Sequence, residues 1–127
     1  MSTAEVLVLD DEEIVCDRVK DHLGKKGFSV ETFTESTKAL SRLGEKRFDV
    51  VVTDLKMKGP TGLDVLVHVK QHELPTQVII ITGYASIEAV RGAELAGVFE
   101  FIPKPFRLND IHKSVKKAAA KARKDSS

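Results

Sequence analysis

Five short apolar runs, each followed by a segment with helical spacing, constrain this chain more than any other feature of its sequence. Ala4–Leu9 (AEVLVL), Asp49–Thr53 (DVVVT) and Gln77–Ile81 (QVIII) are continuous runs, as in strands covered on both faces. Phe28–Phe33 (FSVETF) alternates apolar with polar residues, which predicts a strand less completely covered. Val98–Ile102 (VFEFI) is the last run. Between them, Glu12–Lys26 places Val15, Val19 and Leu23 four residues apart, and Gly27 stops the helix. Ser36–Lys46 reads as helical through Ala39, Leu40 and Leu43. Leu63–His72 does so with Leu63, Leu66, Val67 and the Lys70 stem facing inward, and Ser86–Ala96 ends at Gly97. Leu108, Ile111, Val115, Ala118 and Ala122 share one face of a final helix, with fraying expected from Lys124.

Five β-α units with Val/Ile-rich strands imply an α/β domain: a parallel sheet with helices on both faces. Right-handed crossovers and the need to cover both faces favour a doubly wound sheet. The usual order for five strands is 2-1-3-4-5, as in flavodoxin-like folds, which makes strands 1 and 3 neighbours at the topological switch point. Ligands of such sheets bind at the carboxyl ends of the strands beside that point. No repeat or linker interrupts the 127 residues, so a single domain is expected, with its core over about 4–122 and a tail at 123–127.

Composition narrows the class further. With 42% apolar and 31% charged residues the chain has the balance of a soluble globular protein. No apolar run approaches the ~20 residues needed to cross a bilayer. Met1–Glu5 lacks the basic and apolar segments of a signal peptide. One cysteine, Cys16, excludes an internal disulfide and any multi-cysteine metal site. A cytoplasmic location is expected. The net charge of +1 divides into −5 over residues 1–103 and +6 over 104–127. That basic segment suits an acidic partner or nucleic acid, but equally a solvated helix face with cations near its C-terminus, and direct nucleic-acid binding is not expected.

At the strand ends stand Asp10 and Asp11 after strand 1, Asp54 after strand 3, Thr82 after strand 4 and Lys104 past strand 5. Carboxylates meeting at one edge repel one another unless a cation joins them. Only oxygen ligands are on offer there, which suits a hard cation such as Mg²⁺, or Mn²⁺. Lys104 and the Thr82 hydroxyl would face phosphoryl oxygens. A carboxylate nucleophile, a metal, a lysine and a hydroxyl are the parts of phosphoryl transfer to aspartate. Taken singly, each has an ordinary structural explanation. Asp10 or Asp11 can be a helix cap, Thr82 can reflect β propensity, and a lysine is commonly solvated. Lys104, however, lies between two prolines directly after an apolar strand. The convergence on one edge carries the reading.

The segments VLVLDDE (6–12), VVTDLKM (51–57), IITG (80–83) and FIPKPF (101–106) resemble the motifs of CheY-like response-regulator receiver domains. The similarity covers roughly residues 4–122. It implies a two-component phosphoacceptor domain, not a turnover enzyme, that takes a phosphoryl group from a histidine kinase or histidine phosphotransfer protein. Asp54 would be the phosphoacceptor. Asp11, Asp54 and the backbone carbonyl of Lys56 would ligate Mg²⁺, with Asp10 assisting through water. Thr82 would swing toward the phosphoryl group, Phe101 would rotate inward behind it, and Lys104 would pair with the phosphate. The Lys104–Pro105 peptide would be cis. The face of the fourth helix, fifth strand and fifth helix would then contact a downstream protein or a second copy of the chain.

Departures from the pattern matter as well. Many members of the family carry proline where Lys58 stands, so the loop after Asp54 is expected to be less rigid, with an extra cation near the site. Lys56 and Tyr84 occupy positions where side chains tune the lifetime of the phosphoryl group. Cys16 reads as a packing residue. His22, His68, His72 and His112 read as surface or boundary residues. A flavin or nucleotide binder would need Gly, Ser or Thr where Asp10-Asp11-Glu12-Glu13 stands. An aspartyl phosphatase resembles a pattern with a second acid at the place of Lys56. A receiver-like scaffold that works without phosphorylation is the remaining alternative. The chain is expected to be a stand-alone regulator or a fragment of a longer one, and TGYAS and PKPF are similar to receivers that precede ATPase-type transcriptional activators.

Overall fold

A computed structural model describes residues 3–83 and 86–126. Its elements alternate strictly: β1 (Glu5–Leu9), α1 (Glu13–Lys25), β2 (Ser29–Phe33), α2 (Ser36–Glu45), β3 (Val50–Asp54), α3 (Gly62–Gln71), β4 (Gln77–Thr82), α4 (Ile87–Leu95), β5 (Glu100–Pro103) and α5 (Leu108–Ser126). The five strands form one parallel sheet in the order β2-β1-β3-β4-β5. The expected architecture and strand order are both present.

Period-2 geometry sends alternate residues of each strand to opposite faces. Val6, Val8, Val50, Val52, Ile79 and Ile81 meet Cys16, Val19 and Leu23 of α1 and Ile111, Val115 and Ala118 of α5. Leu7, Leu9, Val51, Val78 and Ile80 face α2, α3 and α4 instead, through Ala39, Leu43, Val65, Leu66, Val69 and Ala93. The continuous apolar strands are thus those covered twice. β2, at the sheet edge, is half-buried throughout, as its alternating pattern predicts.

Two details differ from the sequence expectation. In α3 the inward residues are Val65, Leu66 and Val69, whereas Val67 is 40% exposed and Lys70 lies at the surface. At 100° per residue, positions 65, 66 and 69 share a side and 67 falls across the helix from them. The Lys70 stem instead covers Gly97, where an added Cβ would lie 2.9 Å from Lys70 Cε. α5 also continues as helix through Ser126 rather than fraying at Lys124. Ala119 and Ala122 keep its late turns packed, and Asp125 accepts from Lys121 (3.1 Å) one turn earlier and from Gln77 (3.4 Å) of β4. No helix of the described residues is long and apolar enough to cross a membrane.

Candidate functional site

The strand order puts β1 and β3 side by side, so their carboxyl ends deliver Asp10 and Asp54 to one place. Asp10 has no solvent exposure, and its Oδ1 accepts from the Glu12 N–H at 2.8 Å. Asp54 is also buried, and its Oδ1 accepts from the N–H of Leu55 at 2.7 Å. The Oδ2 atoms of both residues turn toward Lys104. Its Nζ lies 3.0 Å from Asp10 Oδ2, 3.4 Å from Asp54 Oδ2 and 3.6 Å from Glu12 Oε1. One ammonium thus bridges three carboxylates.

Burial and the neighbouring charges pull on both partners. Desolvation pushes the Asp10 carboxyl above its usual range, against the opposing pull of the Glu12 N–H and Lys104. Desolvation also pulls on Lys104, but Asp10 and Asp54 outweigh it and hold the ammonium above its ordinary value. The backbone aims this side chain as well. The Lys104 N–H donates to the Thr82 carbonyl at 2.7 Å, and the Lys104–Pro105 peptide is cis, as the resemblance implies. Thr82 itself is buried at the end of β4, in register with Pro103, and Phe101 is half-buried against the α3/α4 side of the core.

Asp11 is exposed beside Asp10, and oxygen atoms of Asp10, Asp11 and Glu12 lie within 4.8 Å of one another. The donor set is all oxygen, acidic and open on one side, which fits a hard divalent cation. Asp54 stands outside that group of three and meets the Lys104 ammonium at 3.4 Å. Glu12 is the residue that sequence reasoning passed over. Its signal was its place in the acidic run Asp10–Glu13.

The loop after Asp54 is closed at its far end by Gly62. Its N–H donates to the Leu55 carbonyl at 3.0 Å, and an added Cβ would run into the Asp54 carbonyl oxygen. Thr61 then caps α3 by a reciprocal box with Asp64. Lys56 and Lys58 both have exposed side chains. Tyr84 lies outside the described residues. Cys16 is a packing residue, as expected. It is 1% exposed, its Sγ donates to Asp10 O at 3.4 Å, and burial pushes its thiol up to about 11.

A model of the response regulator receiver domain matches residues 6–116. This chain belongs to the response-regulator receiver family. An NtrX-like response regulator of Rickettsia typhi is 34% identical over 120 residues, covering 93% of this chain and 25% of that protein. The DNA-binding transcriptional regulator NtrC of Salmonella typhimurium is 30% identical over 118 residues, with the same two coverages, 93% and 25%. The chain therefore spans about a quarter of the length of these curated relatives. Among solved structures, a receiver domain protein of Clostridium thermocellum superposes with a TM-score of 0.87 at 32% identity, covering 94% of this chain and 97% of that one. A CheY-like receiver domain protein of Methanospirillum hungatei gives 0.91 at 26% identity, covering 98% and 99%. The receiver of a two-component system is a phosphoacceptor signalling domain, and its acidic site generally takes Mg²⁺.

Proposed function

We propose that residues 1–127 form one receiver unit that accepts a phosphoryl group on Asp54, acting in the cytoplasm with a histidine kinase or histidine phosphotransfer protein as donor. The observation that carries this is the Lys104 ammonium facing Asp54 Oδ2 at 3.4 Å while Leu55 N–H holds Oδ1. One oxygen is fixed by the backbone, and the other faces the ammonium. Asp11, Asp54 and the Lys56 carbonyl would hold Mg²⁺, with Asp10 assisting. Bound there, the metal would offset negative charge on the phosphoryl oxygens.

An Asp54 oxygen forms the new bond to phosphorus as the bond from phosphorus to the donor's imidazole nitrogen breaks. The electron pair leaves with the imidazole. Lys104 offsets charge on the transferred group, and the Thr82 hydroxyl donates to one of its oxygens. The product changes the surface of α4, β5 and α5, which a downstream protein or a second copy reads. Likeness to NtrC supports a transcriptional output for that surface. Mass spectrometry after treatment with acetyl phosphate tests the assignment. Asp54 should be modified only with Mg²⁺ present, and Asp54→Asn should remain unmodified. A metal-independent adduct, or one on another residue, would sink it.

A further inference from the structure

The loop between Asp54 and α3 carries a proposed metal ligand, the Lys56 carbonyl, yet two ends alone do not fix its middle. Leu55 and Gly62 close the ends through a 3.0 Å backbone hydrogen bond. The middle meets α2. Ser36, the first residue of that helix, is 2% exposed, and its Oγ donates to the Lys58 carbonyl at 3.2 Å.

This use of a serine is not the usual one. A serine at a helix start commonly accepts from the N–H groups of the first turn. At α2 the N-cap position is held by Glu35, which makes no side-chain cap, and the Ser36 hydroxyl reaches out of the helix to a loop 22 residues away. A hydroxyl buried this deeply requires a partner, and the Lys58 carbonyl supplies it. The next residue, Gly59, turns with φ +75°, a conformation that side chains disfavour, and its open side also faces Ser36 Oγ. Asp11, Ser36 and Lys58 line one hollow of about 320 Å³. The tether therefore stands against the same wall as the exposed carboxylate of the proposed metal site.

We propose that Ser36 is a positioning residue for that site: its hydroxyl anchors the Lys58–Gly59 turn and so holds the Lys56 carbonyl where a divalent cation can use it. Groups that orient ligands without touching the metal commonly change affinity by about 10–100-fold when removed. The inference rests on the metal reading given above, and its test separates the two.

Wild type, Ser36→Ala, Ser36→Thr and Val115→Ala are compared. Val115 lies in the core on the opposite face of the sheet, so its truncation lowers stability without touching the loop. Hydrogen exchange of residues 56–59 is read without metal, and Mg²⁺ affinity is read by calorimetry. Ser36→Ala should speed loop exchange and weaken Mg²⁺ binding about tenfold. Ser36→Thr, which keeps the hydroxyl, should stay close to wild type, and Val115→Ala should change neither reading. Unchanged loop exchange in Ser36→Ala overturns the tether. Equal Mg²⁺ affinity in wild type and Ser36→Ala, or an equal loss in Val115→Ala, overturns its role in the site. A wild type that binds no Mg²⁺ refutes the metal reading and that role with it.

Discussion

Lys104 and Asp10 form an ion pair across 94 residues of sequence, Nζ to Oδ2 at 3.0 Å, with the carboxylate wholly shielded from solvent. Removing one member of a buried pair leaves the other without compensation. Lys104→Met should therefore destabilise the metal-free protein by about 3 kcal/mol. It leaves Asp10 beside Asp54 with no cation between them. Mg²⁺ would restore positive charge at that edge, so saturating metal should narrow the gap in Tm between variant and wild type. A gap that Mg²⁺ leaves unchanged would show that the carboxylates do not share one cation site.

Gly62 approaches the backbone of Asp54, the proposed phosphoacceptor, too closely for any side chain. A Cβ there would collide with the Asp54 carbonyl oxygen and lie 3.1 Å from Leu55 Cα. These are backbone atoms of a buried strand end, which cannot swing aside as a flexible side chain can. Gly62→Ala should cost about 2 kcal/mol and lower the rate of phosphorylation by shifting Asp54. Gly92→Ala is the matched control. Its Cβ would meet Leu63 Cδ1 at an ordinary 3.8 Å, so the helix preference for alanine should add about 0.5 kcal/mol. Urea melts of the two variants should move in opposite directions.

The contrast between these positions shows what a single sequence can carry. Asp10, Asp54, Thr82 and Lys104 were legible because parallel β-α units force strand ends onto one edge, whatever the details of the loops. The inward side of α3 was not. Leu63, Val65, Leu66, Val67 and Val69 offer five apolar residues within one short helix, and such a pattern does not select a face. Val67 was placed inside on that ground and is at the surface. Glu12 and Ser36 escaped for a different reason. Their contacts with Lys104 and Lys58 depend on how loops fold back over 92 and 22 residues, and residue type alone does not encode that.

Away from the site, Glu31 holds the sheet edge to α2. Arg42 grips it with two hydrogen bonds, Nε at 2.8 Å and Nη2 at 3.1 Å, and Lys46 adds a third at 3.0 Å. Arg42 foremost, with Lys46, lowers its carboxyl from 4.5 to about 2. A folded pKa below the unfolded one contributes stability that is present above pH 4.5 and lost as pH falls toward 2. The side chain is 30% exposed, and solvent screening reduces the effect to about 1 kcal/mol at neutral pH. Glu31→Gln should thus be less stable than wild type at pH 7, with the difference falling to roughly half or less by pH 3. Denaturant titrations at both pH values check this, and a constant difference would show that charge is not the cause.

The proposed output depends on how a change at Asp54 reaches the surface. The Lys104 N–H is bonded to the Thr82 carbonyl at 2.7 Å, so the residue proposed to face the phosphoryl group is tied to the end of β4. Thr82 and Pro103 are in register, as are Ile80 and Phe101, so the same shift reaches the half-buried Phe101 through β5. Beside them, α4 has Ala93 alone among its residues fully buried, while Ile87 and Leu95 are 76% and 90% exposed. An element with so little buried apolar surface opens or shifts at low cost. Phosphorylation should therefore redistribute an equilibrium that α4 already samples, rather than create a new fold. Amide spectra of the free protein and of its beryllofluoride complex should differ across Ala89–Ala96 and Phe99–Phe101 as well as around Asp54. Differences confined to the loops at Asp10, Asp54 and Lys104 would break the route from Lys104 through Thr82 to this face.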